Sequence, residues 1–164
     1  MIKKSMAVLL SIAIITPLLI YLLCPPPELK NYIPYSKAFY DVDGKLLRLS
    51  LAKDQRYRLY KPLQDISPTL INATILYEDQ NYYSHGGVDA LALLRAFWTT
   101  YILRERRVGA STLAMQLARL RWQINSTSLP GKMYQIVRAI QLSRHYSKHE
   151  ILEAYLNLTP YGHN

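Results

Sequence analysis

The chain has 164 residues, room for one ordinary domain and an appendage, and half of them are hydrophobic. Lys and Arg number 20 against 11 Asp and Glu, a net charge of +9 that suits anionic partners: phosphates, acidic lipid headgroups or nucleic acid. The single cysteine, Cys24, excludes an internal disulfide and any zinc site built on a Cys cluster.

Lys3 and Lys4 precede an uncharged run, Ser5 to Leu23, close to the ~20 residues that span a bilayer core. Pro17 would kink such a helix without forbidding it. Positive charge on the short N-terminal side predicts that residues 1–4 stay cytoplasmic and that the bulk lies outside the cytoplasmic membrane. The rival is a cleaved signal peptide, but those have apolar regions of roughly 7–15 residues and a small-x-small cleavage site. Here the run is longer, Tyr21-Leu22-Leu23 is a poor processing site, and Leu23 before Cys24 is a poor lipoprotein signal. An uncleaved anchor over 5–23 is the better reading.

Residues 24–66 read as a linker and a small β segment. Pro25-Pro26-Pro27 ends the apolar helix stiffly. Ala38 to Leu49 places apolar residues on either side of Asp43-Gly44, a hairpin signal, and Tyr57 to Tyr60 offers another short strand. Helices then dominate. Ser67-Pro68 reads as an N-cap and first-turn proline of a helix that runs to Glu78. Val88 to Arg104 is a second helix, with a basic tail at Arg104, Arg106 and Arg107 that complements its C-terminus. Gly109 breaks the pattern, and Ser111 can cap a third helix through Leu120. Asn125 to Gly131 is a loop, Lys132 to Tyr146 a fourth helix, and Ser147-Lys148-His149-Glu150 a capping box that opens a fifth.

The stretch from Glu78 to Asp89 carries the best candidate for chemistry. Glu78 and Asp79 close a helix, and a His-Gly-Gly turn follows at once. Adjacent helical side chains point about 100° apart, so one of the two carboxylates faces a given cleft. Acids at a helix C-terminus oppose the macrodipole, so something other than helix stability selects them. A carboxylate there can serve as a general base, and two solvated acids at a helix end are the alternative reading. His85 reads as a loop-shaping residue, with a substrate contact as the alternative. His145 and His149 stand four apart, but the cap at Ser147 interrupts the helix between them and no third ligand is evident. Gly109-Ala110-Ser111-Thr112 before a helix makes an anion site, with Arg119, Arg121 and Lys132 available to supply charge; the same residues also make an ordinary cap. Ser50 and Lys53 fit Ser-x-x-Lys without the companion motifs of acyl-enzymes and read as chance.

In order, these pieces resemble the family 51 glycosyltransferase domain of peptidoglycan synthases. The carrying residues are Glu78, Asp79, Tyr82, His85 and Gly87; then Gly109, Ser111, Thr112, Gln116, Leu117 and Arg119; then Lys132; then Ser147, Lys148, Glu150, Ile151, Leu152, Glu153, Tyr155, Leu156 and Asn157. Met115, Pro130-Gly131-Lys132, Gln135 and Asn157 to Gly162 look like the penicillin-binding protein 1C branch. The resemblance implies a mainly α, lysozyme-like domain over 67–164 that polymerises lipid II at the bacterial inner membrane. Glu78 would deprotonate the acceptor hydroxyl. Asp79, His85, Ser111, Thr112, Gln116, Arg119, Lys132 and Gln135 would bind substrate, the cations at the diphosphate. Gln135 stands where the wider family carries a Glu; it could bond a phosphate or sugar but not act as acid or base. Glu150 and Glu153 are expected to be structural. No cofactor is implied with certainty, and a divalent cation, Mg2+ or Mn2+, stays open. Implied partners are lipid II, the growing glycan strand, the membrane and other cell-wall synthesis proteins, with no nucleic acid. The family's domain runs on beyond Asn164, so the sequence reads as a fragment or truncated product with apolar faces left uncovered. An inactive remnant or interaction module is the alternative, and a lysozyme-like hydrolase a third reading.

Overall fold

A computed structural model of the chain describes residues 33–103 and 109–161, with Ile12, Ile15, Thr16, Leu18, Leu19, Leu23 and Leu29. Most of the expected anchor, the triple proline and the basic tail Arg104, Arg106 and Arg107 lie outside the described residues. Among the described residues no helix is long and apolar enough to cross a membrane.

The hairpin forms where its turn residues place it. Strand β1 (Ala38–Tyr40) pairs antiparallel with β2 (Leu46–Leu49), with Ala38 opposite Leu49 and an irregularity between Phe39 and Tyr40. Asp41 Oδ1 accepts from the N–H groups of Asp43 (3.0 Å) and Lys45 (2.7 Å), and Gly44 takes the left-handed φ of +79° that the loop needs. Tyr57 to Tyr60 is no strand: it belongs to no ladder. Its neighbours spend their backbone bonds on side chains instead. Lys61 exchanges two 2.8 Å bonds with the Asn157 amide, and Leu63 N–H donates to Glu153 (2.8 Å).

Five helices follow: α1 (Pro68–Glu78), α2 (Ala90–Phe97), α3 (Leu113–Trp122), α4 (Leu129–His145) and α5 (Lys148–Leu158). Pro68 opens α1 as expected, although the Ser67 side chain makes no cap bond. Helix α2 begins at the Asp89 cap, whose Oδ1 accepts from Ala92 N–H (2.9 Å), and it passes into a π turn at Trp98–Ile102. Thr112, rather than Ser111, caps α3, accepting from Met115 N–H at 3.2 Å. Helix α4 starts three residues earlier than expected, because Ser128 caps it and Pro130 fits its first turn. Both halves of the capping box between Ser147 and Glu150 are present on α5.

Helix α3 packs against both α4 and α5. The core between them holds Leu113, Met115, Leu117, Leu142, Ile151 and Leu152, with Tyr82 from the turn after α1. Full burial of each such side chain contributes about 1.5–3 kcal/mol. Gly87, at φ +93°, lies so close to α4 that a Cβ would stand 2.6 Å from the Ala139 carbonyl oxygen. That contact holds the Gly-Gly turn, and the acidic end of α1 with it, against the bundle.

Candidate active site

Glu78 is the last residue of α1 and is partly buried. Gln116, on the second turn of α3, donates from Nε2 to Glu78 Oε2 at 2.6 Å. The same amide accepts, at 3.4 Å, from the Tyr155 hydroxyl on α5. The carboxylate is thus tied to two helices far away in sequence.

Asp79 turns the other way. It is buried, and both oxygens are engaged by His85 Nε2, at 2.9 and 3.1 Å. Its Oδ2 also accepts from the Leu113 N–H (3.0 Å), one of the donors that the N-terminus of α3 leaves without an intrahelical partner. Asp79 and His85 therefore lock the end of α1 to the start of α3, and His85 does shape the loop. Thr112 shares this work, donating to Gly87 O at 2.6 Å while it caps α3.

The cations come from α3 and α4. Lys132 Nζ donates to Ser111 Oγ at 2.7 Å. Burial, and then the nearby Arg119 guanidinium, hold the Lys132 ammonium below the ordinary lysine range. Arg119 lies exposed on the lip of a cavity of about 390 Å³ whose walls include Glu78, Ser111, Gln116 and Gln135. A smaller cavity, about 190 Å³, shares Tyr77, Glu78, Gly109 and Ser111 with the first and adds Asp79, Asp89 and Arg95. Glu78 stands between the two. A further cavity, about 510 Å³, lies elsewhere, between Arg58, Lys61, Leu156 and Tyr161, and Glu78 has no part in its wall.

The structure thus brings Glu78, Ser111, Gln116, Arg119 and Gln135 around one opening, bonds Lys132 to Ser111 in its wall, and holds Asp79, His85 and Thr112 to one another at the junction of α1 and α3. The profile of the Transglycosylase family matches residues 43–164. This chain belongs to the transglycosylase family. It is 38% identical to penicillin-binding protein 1C of Escherichia coli (strain K12) over 120 residues, 73% of this chain and 16% of that protein. It is 38% identical to penicillin-binding protein 2D of Bacillus subtilis (strain 168) over 138 residues, 80% of this chain and 19% of that one. With penicillin-binding protein 1A of Rickettsia typhi the identity is 34% over 136 residues, 81% of this chain and 17% of the relative. The chain spans less than a fifth of the length of these relatives.

A divalent cation held by protein ligands does not fit this transglycosylase-family site. Glu78 is the one carboxylate in the wall of the 390 Å³ cavity, position 135 is a neutral amide, Arg119 stands on the lip, and Lys132 is bonded to Ser111 in the wall. No group of three or more His, Cys, Asp or Glu suited to a metal occurs among the described residues.

Sequence reasoning missed what Lys148 does. Its ammonium bonds the carbonyl oxygens of Tyr82 and His85 (2.7 Å to the latter) and sits 4.5 Å over the Tyr82 ring, so α5 clamps the turn that follows Glu78. Burial lowers the Lys148 pKa, against the opposing pull of Asp79. A signal existed: Lys148 is the first residue of α5, and a cation in a first helical turn opposes the macrodipole.

Proposed function

We propose that this chain carries the transfer site of a peptidoglycan glycosyltransferase, which polymerises lipid II into β-1,4-linked glycan in cell wall biogenesis and releases undecaprenyl diphosphate. Glu78 takes the proton from the 4-hydroxyl of the acceptor sugar. That oxygen bonds to the anomeric carbon of the lipid-linked donor as the bond from that carbon to the diphosphate oxygen breaks, with inversion. The proton stays on the carboxyl group. The diphosphate leaves as a stable anion that needs little protonation, so one base and cationic stabilisation suffice. Arg119 and Lys132, the latter steadied by Ser111, hold that anion, and Gln116 aims the carboxylate. The catalytic frame is a lysozyme-like helical domain, anchored by 5–23 with the N-terminus cytoplasmic and the domain on the periplasmic side.

The observation that supports this reading best is the opening itself: Glu78 and Arg119 line one cavity, and Lys132 is bonded to a third wall residue, Ser111. A hydrolase that cleaves an alkoxide-leaving bond ordinarily needs a second free carboxylate. The neighbouring candidate, Asp79, is committed to His85 and Leu113.

The test is the full chain in detergent with labelled lipid II, beside Glu78→Gln. The unsubstituted chain yields glycan strands, and the variant loses activity by about 10²–10⁴, the usual contribution of a positioned base. Equal polymer from both, or short sugars released from finished glycan, would overturn the proposal.

A further inference from the structure

Gln135 sits in the second turn of α4 and is 1% exposed. Its Nε2 donates to the Met115 carbonyl oxygen at 2.7 Å. That bond fixes the amide, since a flip would set two carbonyl oxygens against each other. The Oε1 on the other side is buried and has no partner among the described residues. A buried acceptor left unpaired costs about 1–3 kcal/mol, so this oxygen favours any ligand that brings it a donor.

Gln135 lines the same cavity as Glu78 and Arg119. The cations there are donors only and suit phosphate oxygens. A phosphate has no proton to offer Oε1 once it is fully ionised. The part of the ligand that can do so is the sugar, through a hydroxyl or an acetamido N–H. A carboxylate in place of this amide would face the Met115 carbonyl and compete with the diphosphate for Lys132 and Arg119. The neutral amide accepts without doing either.

We infer that Gln135 is a further specificity-determining residue, whose Oε1 accepts a hydrogen bond from an N–H or O–H of the sugar that the diphosphate carries. This rests on the glycosyltransferase reading above. It separates the cavity into a cationic part that recognises any prenyl diphosphate and a neutral acceptor that recognises the sugar on it. Sites built to accept a substrate's donor reject analogues that lack it more sharply than apolar pockets reject a missing methylene.

The experiment compares binding of a short-chain prenyl diphosphate with binding of the same diphosphate bearing an N-acetylated sugar. Gln135→Met is expected to weaken the sugar-bearing ligand about tenfold and to leave the bare diphosphate unchanged. On the unsubstituted chain, replacing the sugar's N–H and O–H donors one at a time must find one whose loss costs about tenfold; that arm does not depend on the variant folding. An equal effect of Gln135→Met on both ligands, or no sensitive donor on the sugar, overturns the role of Gln135 and leaves the glycosyltransferase reading standing. Failure of the unsubstituted chain to bind either ligand overturns both.

Discussion

Leu117 on α3 and Leu94 on α2 are both leucines inside short helices, yet the first is 1% exposed and the second 65%. Helix α3 is covered by α4 and α5, whereas α2 packs chiefly along its own π-turn continuation. Leu91, Trp98, Ile102 and Leu103 are exposed with Leu94, so α2 and its π turn form an apolar arm, in contrast to the filled core around α3. An apolar stripe specifies a face to be covered without specifying what covers it. The candidate site belongs to the covered part. Gln116, Arg119, Lys132 and Gln135 all project from α3 and α4, and they inherit the rigidity of that packing.

The largest effect is expected inside the core. Leu117→Ala is expected to cost about 3 kcal/mol in urea unfolding, because the surrounding helices cannot collapse into the space. A loss below about 1 kcal/mol would mean that the three helices are looser than their burial implies. Asp79→Asn comes next, at about 2 kcal/mol. It weakens a charge-assisted clasp on His85 and on the Leu113 N–H without changing size. Restoring stability in that variant would require a new acceptor at the start of α3, so an unchanged midpoint would remove Asp79 from the scaffold role given to it here.

Features set by near neighbours were legible in the sequence. The capping box at Ser147 and Glu150, Pro68 at the first turn of α1 and the Asp43-Gly44 hairpin each need a few consecutive residues, and each formed. What a distant residue decides was not. Ser111 and Thr112 are equivalent caps by sequence; Thr112 turns inward because Gly87 O, 25 positions away, accepts a hydrogen bond from its hydroxyl. Tyr57 to Tyr60 has strand composition, but Asn157 and Glu153 take the bonds of the residues just after it. The bond from Gln116 to Glu78 spans 38 positions, and only the ordered motifs, not periodicity, pointed to both partners. The second helix runs from Ala90 to Ile102, near its expected span, but its last five residues are π rather than α, which nothing local announces.

The covered helices also carry a pH dependence. Partial burial behind α3 and the charge of Arg119 lower the Lys132 pKa from 10.5. Between that lowered value and 10.5 the unfolded chain holds more protons than the folded one, so stability rises with pH across this window. Lys148 is shifted in the same direction and contributes to that rise. Binding of inorganic pyrophosphate isolates Lys132: affinity falls about tenfold as pH climbs through the same window, because a charge-assisted bond to phosphate is lost. Lys132→Met binds more weakly at neutral pH and loses the alkaline fall. A fall of equal size in the variant would assign the titration to another group.

The smallest expected effect tests the arm. Leu94→Ala should change the unfolding free energy by less than about 0.5 kcal/mol, since most of that side chain meets solvent in both states. Measured beside Leu117→Ala under the same conditions, the pair gives a ratio rather than an absolute number, and shared errors in the unfolded reference cancel. A cost for Leu94→Ala approaching that for Leu117→Ala would show that the apolar face of α2 is covered in solution. The boundary between core and arm would then lie beyond α2, and the contrast drawn here would describe an isolated chain rather than the molecule at work.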